Sequence, residues 1–425
     1  MNTNVLFIKK AKYIRIVSTI LKVLVIVVLA LYVLFTYSRI GLFLWEIAPI
    51  LSMYLITPIL MGYMALMKLK QKKKLINKKS ILSLSVLIIV ILFYIWSFYP
   101  AVMAPRYSKQ FNEAFVSSLG KDYESKIPEN ILSKLSPAPF SWRKLLFMEV
   151  PKKFTVVKNI HYGNHTRQFF DIYYPLNLTG YHPAIIEIHG GATLNMTNRA
   201  ITERLTAAYF TAQGIIVISV EYRIPPEAHY LEMVTDVRMA IKWIRDHAEE
   251  YHINKSQIFV LGRSRGGQLA TTAIYSGMNN NSWYMKNAGN FTSDDLSVAG
   301  VISLYGEVNP YMAKEWGNDY VDGLNKIVFG VSRDEAPDLY RNCSAEYLIG
   351  PNTPPTFLMH GSLDRAVFPI ESRHLAQALT ANGVLNVYLE LPTGQHGFDA
   401  FPWSPGGQLM YYYLERFIWY VIYAT

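Results

Sequence analysis

Three long apolar stretches come first, and then the period of the chain changes. The stretches at about Ile16–Tyr37, Leu42–Met67 and Ile81–Tyr99 carry few charges, and Val23–Phe35 carries none. Each approaches or exceeds the roughly 20 residues a helix needs to cross a hydrocarbon core. The pattern predicts three transmembrane helices at 16–37, 42–67 and 81–99. Pro49 and Pro58 would kink the second, and Trp45, Tyr94, Trp96 and Tyr99 fall where interfacial aromatics do. Residues 101–150 read as a linker of short helices. Ser108 is placed to cap a helix whose Phe111, Phe115, Val116 and Leu119 share a face and which Gly120 stops; Pro128 opens another that runs through Leu135. These helices either cover a site mouth or pack between membrane and domain.

From Phe154 the chain alternates strand and helix. Phe154–Ile160 and Gln168–Tyr174 read as an antiparallel pair. Short continuous apolar runs of the buried parallel type follow at Ala184–Ile188, Ile215–Val220, Ile258–Leu261, Val298–Leu304, Thr356–Met359 and Val387–Leu391. Helical segments at Ala200–Gln213, Met233–Tyr251, Arg265–Ser276, Ile370–Asn382 and Gln408–Ile422 separate most of them or close the chain. The expected fold class is therefore α/β over residues 151–425, a mostly parallel sheet with helices on both faces, preceded by an all-α membrane region over 1–100. Catalytic groups should lie at the carboxyl ends of the strands.

Charge sharpens this division. The 425-residue chain has a net charge of +10, yet residues 1–100 hold 13 Lys/Arg and a single acid, Glu46. The basicity belongs to the apolar region, so a general nucleic-acid binder, which needs a basic patch on its folded domain, is excluded. Lys9, Lys10, Lys12 and Arg15 precede the first stretch, and seven lysines from Lys68 to Lys79 join the second to the third, whereas Arg39 alone lies between the first two. The positive-inside rule then puts the N-terminus in the cytoplasm and everything after Pro100 on the external face of the cell membrane. A lone cysteine, Cys343, rules out an intramolecular disulfide and a Cys-based zinc site. Seven Asn-x-Ser/Thr sequons, beginning at Asn164, Asn177, Asn195, Asn254, Asn280, Asn290 and Asn342, fall on the external side, whether or not they carry glycans.

The chemistry gathers at strand ends. Ile258–Leu261 runs into Gly262-Arg263-Ser264-Arg265-Gly266 and then a helix, a G-x-S-x-G turn in its strand–turn–helix setting, with Ser264 as nucleophile. A serine hydroxyl needs a base; His396, in a Gly-flanked loop after the last strand, is the candidate. Asp364, the acid in the loop after Thr356–Met359, would orient that imidazole. The order Ser264, Asp364, His396 is the one this type of fold requires. Oxyanion donors are expected from the amides of Gly191 and Ala192, in His189-Gly190-Gly191-Ala192, and of Arg265.

These segments resemble the alpha/beta-hydrolase superfamily. More narrowly, the chain is similar to the bacterial acetyl-esterase and carboxylesterase group related to hormone-sensitive lipase. The resemblance is carried by His189–Gly191, Glu221-Tyr222-Arg223-Ile224-Pro225-Pro226-Glu227-Ala228, GRSRGGQLA from Gly262, Ala336-Pro337-Asp338-Leu339-Tyr340, HGSLD from His360, Val367-Phe368-Pro369 and GQHGF from Gly394. It covers about residues 150–420 and none of the apolar region. It implies a serine hydrolase acting on short acyl or acetyl esters, small or polymer-linked, without metal or organic cofactor. Acyl transfer, peptide cleavage and a catalytically inactive binding role remain alternatives, and oligomeric state is left open. Glu221, Arg223 and Glu227 read as scaffold that pins the oxyanion turn. Two departures stand out: Ala192 replaces a third glycine, and Arg263 and Arg265 flank the serine. These arginines either attract an anionic substrate or pair with acids such as Glu187. The stretch Tyr305–Pro355 is expected to shape the substrate pocket or a partial cap.

Overall fold

A computed structural model describes residues 94–150, 153–191 and 197–424, together with Thr57, Met61, Ile88, Ile91 and Leu92. Two compact units divide between Met103 and Ala104. The spans expected at 16–37 and 42–67, and most of that at 81–99, lie outside the described residues apart from those isolated positions. No helix among the described residues is long and apolar enough to cross a membrane. In the first unit, the Thr57 hydroxyl donates to the Tyr94 hydroxyl (3.2 Å).

The second unit is built on an eight-stranded sheet of order β1-β2-β4-β3-β5-β6-β7-β8. The strands are β1 (Thr155–His161), β2 (Phe169–Tyr174), β3 (His182–Ile188), β4 (Ile216–Val220), β5 (Ile253–Arg263), β6 (Gly300–Leu304), β7 (Thr356–Gly361) and β8 (Asn386–Leu391). β1 pairs antiparallel with β2 and β2 with β4; all later pairings are parallel. The continuous apolar runs have a direct cause. Ala184, Ile185, Ile186 and Ile188 of β3 are all completely buried, because both faces of a central strand are covered. At the edge, β8 alternates half-exposed Asn386, Tyr388 and Glu390 with buried Val387, Leu389 and Leu391. The opposite edge, β1, is exposed along its length and broken by a register shift between Val157 and Ile160, where Asn159 stands at φ 59°. A bulge of this kind makes an edge a poor template for pairing with another chain.

The helices are α1 (Tyr99–Leu119), α2 (Glu129–Leu132), α3 (Trp142–Phe147), α4 (Ile201–Thr211), α5 (Tyr230–Asp246), α6 (Arg265–Met278), α7 (Ser282–Asn287), α8 (Asp319–Phe329), α9 (Pro337–Asn342), α10 (Ile370–Ala381) and α11 (Pro405–Ala424). On one face of the sheet, Ala184, Ile186 and Ile188 share a core with Met233, Val237 and Ile241 of α5 and with Leu269 and Ala273 of α6. On the other, Phe357 of β7 meets Phe115 of α1 and Phe417 of α11.

The expected helix starting at Ser108 is corrected. α1 begins at Tyr99, and Ser108 lies inside it, donating its hydroxyl to Ala104 O (2.9 Å). Pro100 sits in the first turn, where its missing N–H costs nothing. The expected stop holds: Gly120 takes φ 93° directly after Leu119. The helix expected from Pro128 through Leu135 is one turn, with Pro128 as its N-cap residue. Residues 104–150 are packed on the sheet unit. Ser136 N donates to Glu415 Oε1 (2.7 Å), Ser141 N to Gln408 Oε1 (2.7 Å), and the Tyr413 hydroxyl to Ser108 O (2.7 Å).

If α1 is core, truncating its central anchor must loosen the whole unit. Phe115 is fully buried against the rings of Tyr123, Phe357 and Tyr413. Phe115→Ala is expected to cost roughly 3–5 kcal/mol in a denaturant titration; a loss under about 1 kcal/mol would mean that α1 is a dispensable linker.

Candidate active site

The strand order reverses at β3, with β4 on one side and β5 on the other. Crevices open at such switch points, above the carboxyl ends of the strands. The loop His189–Gly191 leaves β3 there, and Ser264 leaves β5.

Ser264 stands at φ 53°, ψ −122°, a conformation that L-residues avoid and that costs of order 1–3 kcal/mol. The turn is held by Ser264 N donating to Leu304 O (3.0 Å) and by Ser264 O accepting from Gly267 N (2.9 Å). The flanking glycines are there for space. A Cβ on Gly262 would collide with the carbonyl of Gly266, and one on Gly266 with the carbonyl of Ile188. The β3 loop therefore lies directly against the first turn of α6.

The structure brings Ser264, His396 and Asp364 into one hydrogen-bonded line. Ser264 Oγ is 2.9 Å from His396 Nε2, and His396 Nδ1 is 2.7 Å from Asp364 Oδ2. Asp364 is buried and also accepts from Ala366 N (2.9 Å) and Val367 N (3.0 Å) through Oδ1. Burial alone would raise its carboxyl. The charge on His396 and hydrogen bonds from His360 and His396 outweigh that and hold it down at about 2. When the imidazole is neutral, the Asp364 carboxylate keeps its proton on Nδ1 and leaves Nε2 to accept from Ser264.

The expected oxyanion donors are placed in part. Arg265 opens α6, so its amide has no acceptor within its own helix. Gly191 takes φ 70°, and Gly190 packs so closely that a Cβ there would lie 2.8 Å from Arg263 O and 3.1 Å from Ser264 Cβ. Ala192 lies outside the described residues. The start of the loop is fixed by His189, whose ring stacks on Tyr222 (4.4 Å) while its carbonyl accepts from the Tyr222 hydroxyl (2.6 Å). Burial pushes the His189 imidazole down to about 4, so it is neutral near pH 7. It then donates from Nδ1 to Gly190 O (2.8 Å) and makes no ion pair with Glu221, 3.8 Å away. Beyond the loop, Glu221 accepts from Asn198 N (2.9 Å) and pairs with Arg167. Of the three residues expected to pin this turn, Glu221 holds the loop farther on, at Asn198 N. Arg223 instead pairs with Asp236 of α5 (2.7 Å), and Glu227 lies 3.7 Å from His165.

Neither arginine beside Ser264 is free to receive an anionic substrate. Arg263 is buried between Glu187 and Asp399. Arg265 is buried against Glu307 (2.7 Å) and Asn325 of α8 (2.8 Å). The Tyr305–Pro355 stretch thus reaches the elbow through α8. Sequence reasoning missed three neighbours of the line. Tyr305 lies with its ring 4.7 Å from that of His396. Asp399 follows His396 by three residues. His360 Nε2 approaches Asp364 Oδ2 at 3.3 Å. Their strand-end positions were the available signal, but tyrosine, aspartate and histidine at strand ends are common, and nothing in one chain says which way they turn.

The sheet order, the strained serine elbow and the loops at the carboxyl edge define an alpha/beta-hydrolase fold. Residues 170–379 match the BD-FAE family model. Over 251 residues the chain is 30% identical to Esterase LipC of Mycobacterium tuberculosis, an alignment taking in 57% of this chain and 60% of that protein. Among solved structures it is similar to a truncated form of carbohydrate esterase from gut microbiota (TM-score 0.51, 21% identity, 63% of this chain and 99% of that one). It is also similar to an inhibited esterase B from Lactobacillus Rhamnosis (TM-score 0.52, 18% identity, 68% and 97%). At these identities the structural likeness concerns the fold. The chain spans 60% or less of the length of the first curated relatives it matches.

The low value at Asp364 has a checkable sign. A carboxyl depressed in the folded state stabilises the fold above its unfolded value of 3.8, and that contribution is lost as the pH falls through about 2. The melting-temperature gap between wild type and Asp364→Asn should therefore persist at neutral pH and narrow on acidification from 3.8 towards 2. A gap that stays constant through this window would show that the carboxylate is not selectively stabilised.

Proposed function

We propose that this chain is a serine hydrolase that cleaves carboxylic esters through an acyl-enzyme. The reading is carried by the Ser264–His396–Asp364 line at 2.9 and 2.7 Å, set at the carboxyl edge of the sheet. His396 Nε2 takes the hydroxyl proton as Ser264 Oγ attacks the ester carbonyl. The oxyanion that forms rests on the amides of Arg265, Gly191 and Ala192. Collapse of the tetrahedral intermediate breaks the bond to the alcohol, which leaves with the proton from His396. Water then gives a proton to the same nitrogen, attacks the acyl carbonyl, and the acid departs as Ser264 recovers its proton. Asp364 stays ionised throughout and stabilises the imidazolium. The esterase names of the matched relatives favour an ester substrate, and short acyl or acetyl esters, small or polymer-linked, are the proposed class.

We further propose that residues 1–100 anchor the hydrolase domain to the cell membrane with that domain on the external face. Support comes from the three apolar stretches and from the excess of Lys and Arg before the first and between the second and third. Cysteines introduced singly at Ser117 and Asn280 should react with a membrane-impermeant maleimide on intact cells, and the protein should resist alkaline carbonate extraction. Release by carbonate, or protection of both cysteines, overturns the anchoring or its orientation respectively.

For the chemistry, p-nitrophenyl acetate, butyrate, octanoate and palmitate are to be compared on the full chain. Turnover should fall with acyl length. Ser264→Ala and His396→Ala should each lose about 10⁴-fold or more in kcat, and Asp364→Asn roughly 10³–10⁴-fold. Absence of turnover together with absence of fluorophosphonate labelling would overturn the hydrolase reading.

A further inference from the structure

Arg263 is the last residue of β5, and the chain turns at Ser264 immediately after it. A guanidinium pointing into a protein is costly unless its donors are met. Here each nitrogen has a partner. Nε donates to Asp399 Oδ2 (2.6 Å), Nη1 to Glu187 Oε1, and Nη2 to Thr206 Oγ1 (2.8 Å). The arginine side chain is 5% exposed and both carboxylates are fully buried.

The two acids come from different parts of the chain. Glu187 sits on β3, in register with Leu261 of β5. Asp399 sits on the loop after β8, three residues beyond His396. Through Oδ1 the same Asp399 accepts from the Tyr305 hydroxyl (2.6 Å), and the Tyr305 ring stands edge-on to the His396 imidazole, 4.7 Å between centroids. Tyr305 is itself held by its amide donating to Met359 O (2.8 Å). Contacts thus run without a break from the backbone at Ser264 through Arg263, Asp399 and Tyr305 to the His396 ring.

We propose that Arg263 is a positioning residue: with Asp399 and Tyr305 it ties the loop carrying His396 to the strand carrying Ser264 and so sets the distance between base and nucleophile. This rests on the hydrolase reading above. The physical need is clear from the loop. Phe398 N donates to Gln395 O (3.2 Å) and Ala400 N to Gly397 O (3.0 Å), which shape the loop locally but do not fix it against β5. The His396–Ser264 hydrogen bond is a single contact, weak in net terms because each partner gives up a hydrogen bond to water to make it. A charged pair away from water is stronger and more directional. The planar fork of arginine meets Glu187, Asp399 and Thr206 at once, which a lysine ammonium on a flexible stem does not reproduce.

The test is kcat per competent serine. Fluorophosphonate titration run to completion counts the competent sites in wild type, Arg263→Lys, Asp399→Asn and Tyr305→Phe, and p-nitrophenyl acetate turnover is divided by that count. Each variant should lose roughly tenfold in kcat per titrated site, the scale of a small misplacement of reacting groups, with KM within about twofold of wild type. Asp399→Asn combined with Tyr305→Phe should be little worse than the weaker single variant, because both cut one link. Fewer titrated sites with unchanged kcat per site would mean a merely structural role and overturn the proposal. Should Arg263→Lys fail to fold, Tyr305→Phe leaves every charge in place and still decides. An active wild type with unaffected variants overturns the positioning role alone; an inert, unlabelled wild type overturns the hydrolase reading and the role with it.

Discussion

A serine held at φ 53° at the end of a central strand is the constraint from which the proposed catalytic edge is built. The strain lifts Oγ above the sheet, and it persists only because the surroundings leave the backbone no alternative. β3 and β6 flank the strand, the Leu304 carbonyl accepts the serine amide, and the Gly262 and Gly266 backbones pack with no room for a Cβ. The same crowding brings the β3 loop and the first turn of α6 together. Ser264 and the proposed amide donors at Gly191 and Arg265 are thus brought together by one backbone approach.

Charge is arranged around this elbow with similar economy. Two arginines flank the serine, and both are buried with acids: Arg263 with Glu187 and Asp399, Arg265 with Glu307. Burial pushes the Glu187 carboxyl up, and the Arg263 guanidinium facing it works against that rise. Glu307 and Glu371, close by, are also raised by burial. Glu371 accepts from the amides of Val308 and Asn309 and so ties α10 to the segment after β6 (3.1 and 2.7 Å). Buried pairs of this kind add little net stability compared with apolar packing, but they are specific about geometry and costly to break. A site that needs strand ends from distant parts of the chain in fixed relation gains from that specificity.

The elements of the sheet were legible in one sequence because each follows from local pattern. Central parallel strands read as unbroken apolar runs, and helices from Arg265 and Ile370 begin at their expected starts, whereas β8, expected as another buried run, is an edge strand that alternates buried and half-exposed residues. The expectation failed where a local signal had a tertiary competitor. Ser108 looks like a cap, yet the helix starts at Tyr99 and Ser108 lies within it, its hydroxyl turned back to Ala104 O. Arg223 sits in a motif that pointed to the oxyanion turn, yet Asp236, one helix away in space, captured it.

By itself, the sequence determined which residues stand at strand ends, since strand and turn signals are short-range and the order Ser264, Asp364, His396 follows from them. It showed as well that the net positive charge belongs to the apolar first hundred residues and that the remainder is nearly neutral. Only the tertiary structure decided which strand-end side chains meet: that Tyr305 lies against His396, that Asp399 reaches back to Arg263, and that both arginines turn inward to acids rather than outward to a ligand. The physical reason is that a side chain's partner depends on which strands are neighbours and which way each rotamer points across a long separation in sequence, 94 residues for Tyr305 with Asp399 and 136 for Arg263 with Asp399, and those choices are made by packing the whole sheet at once.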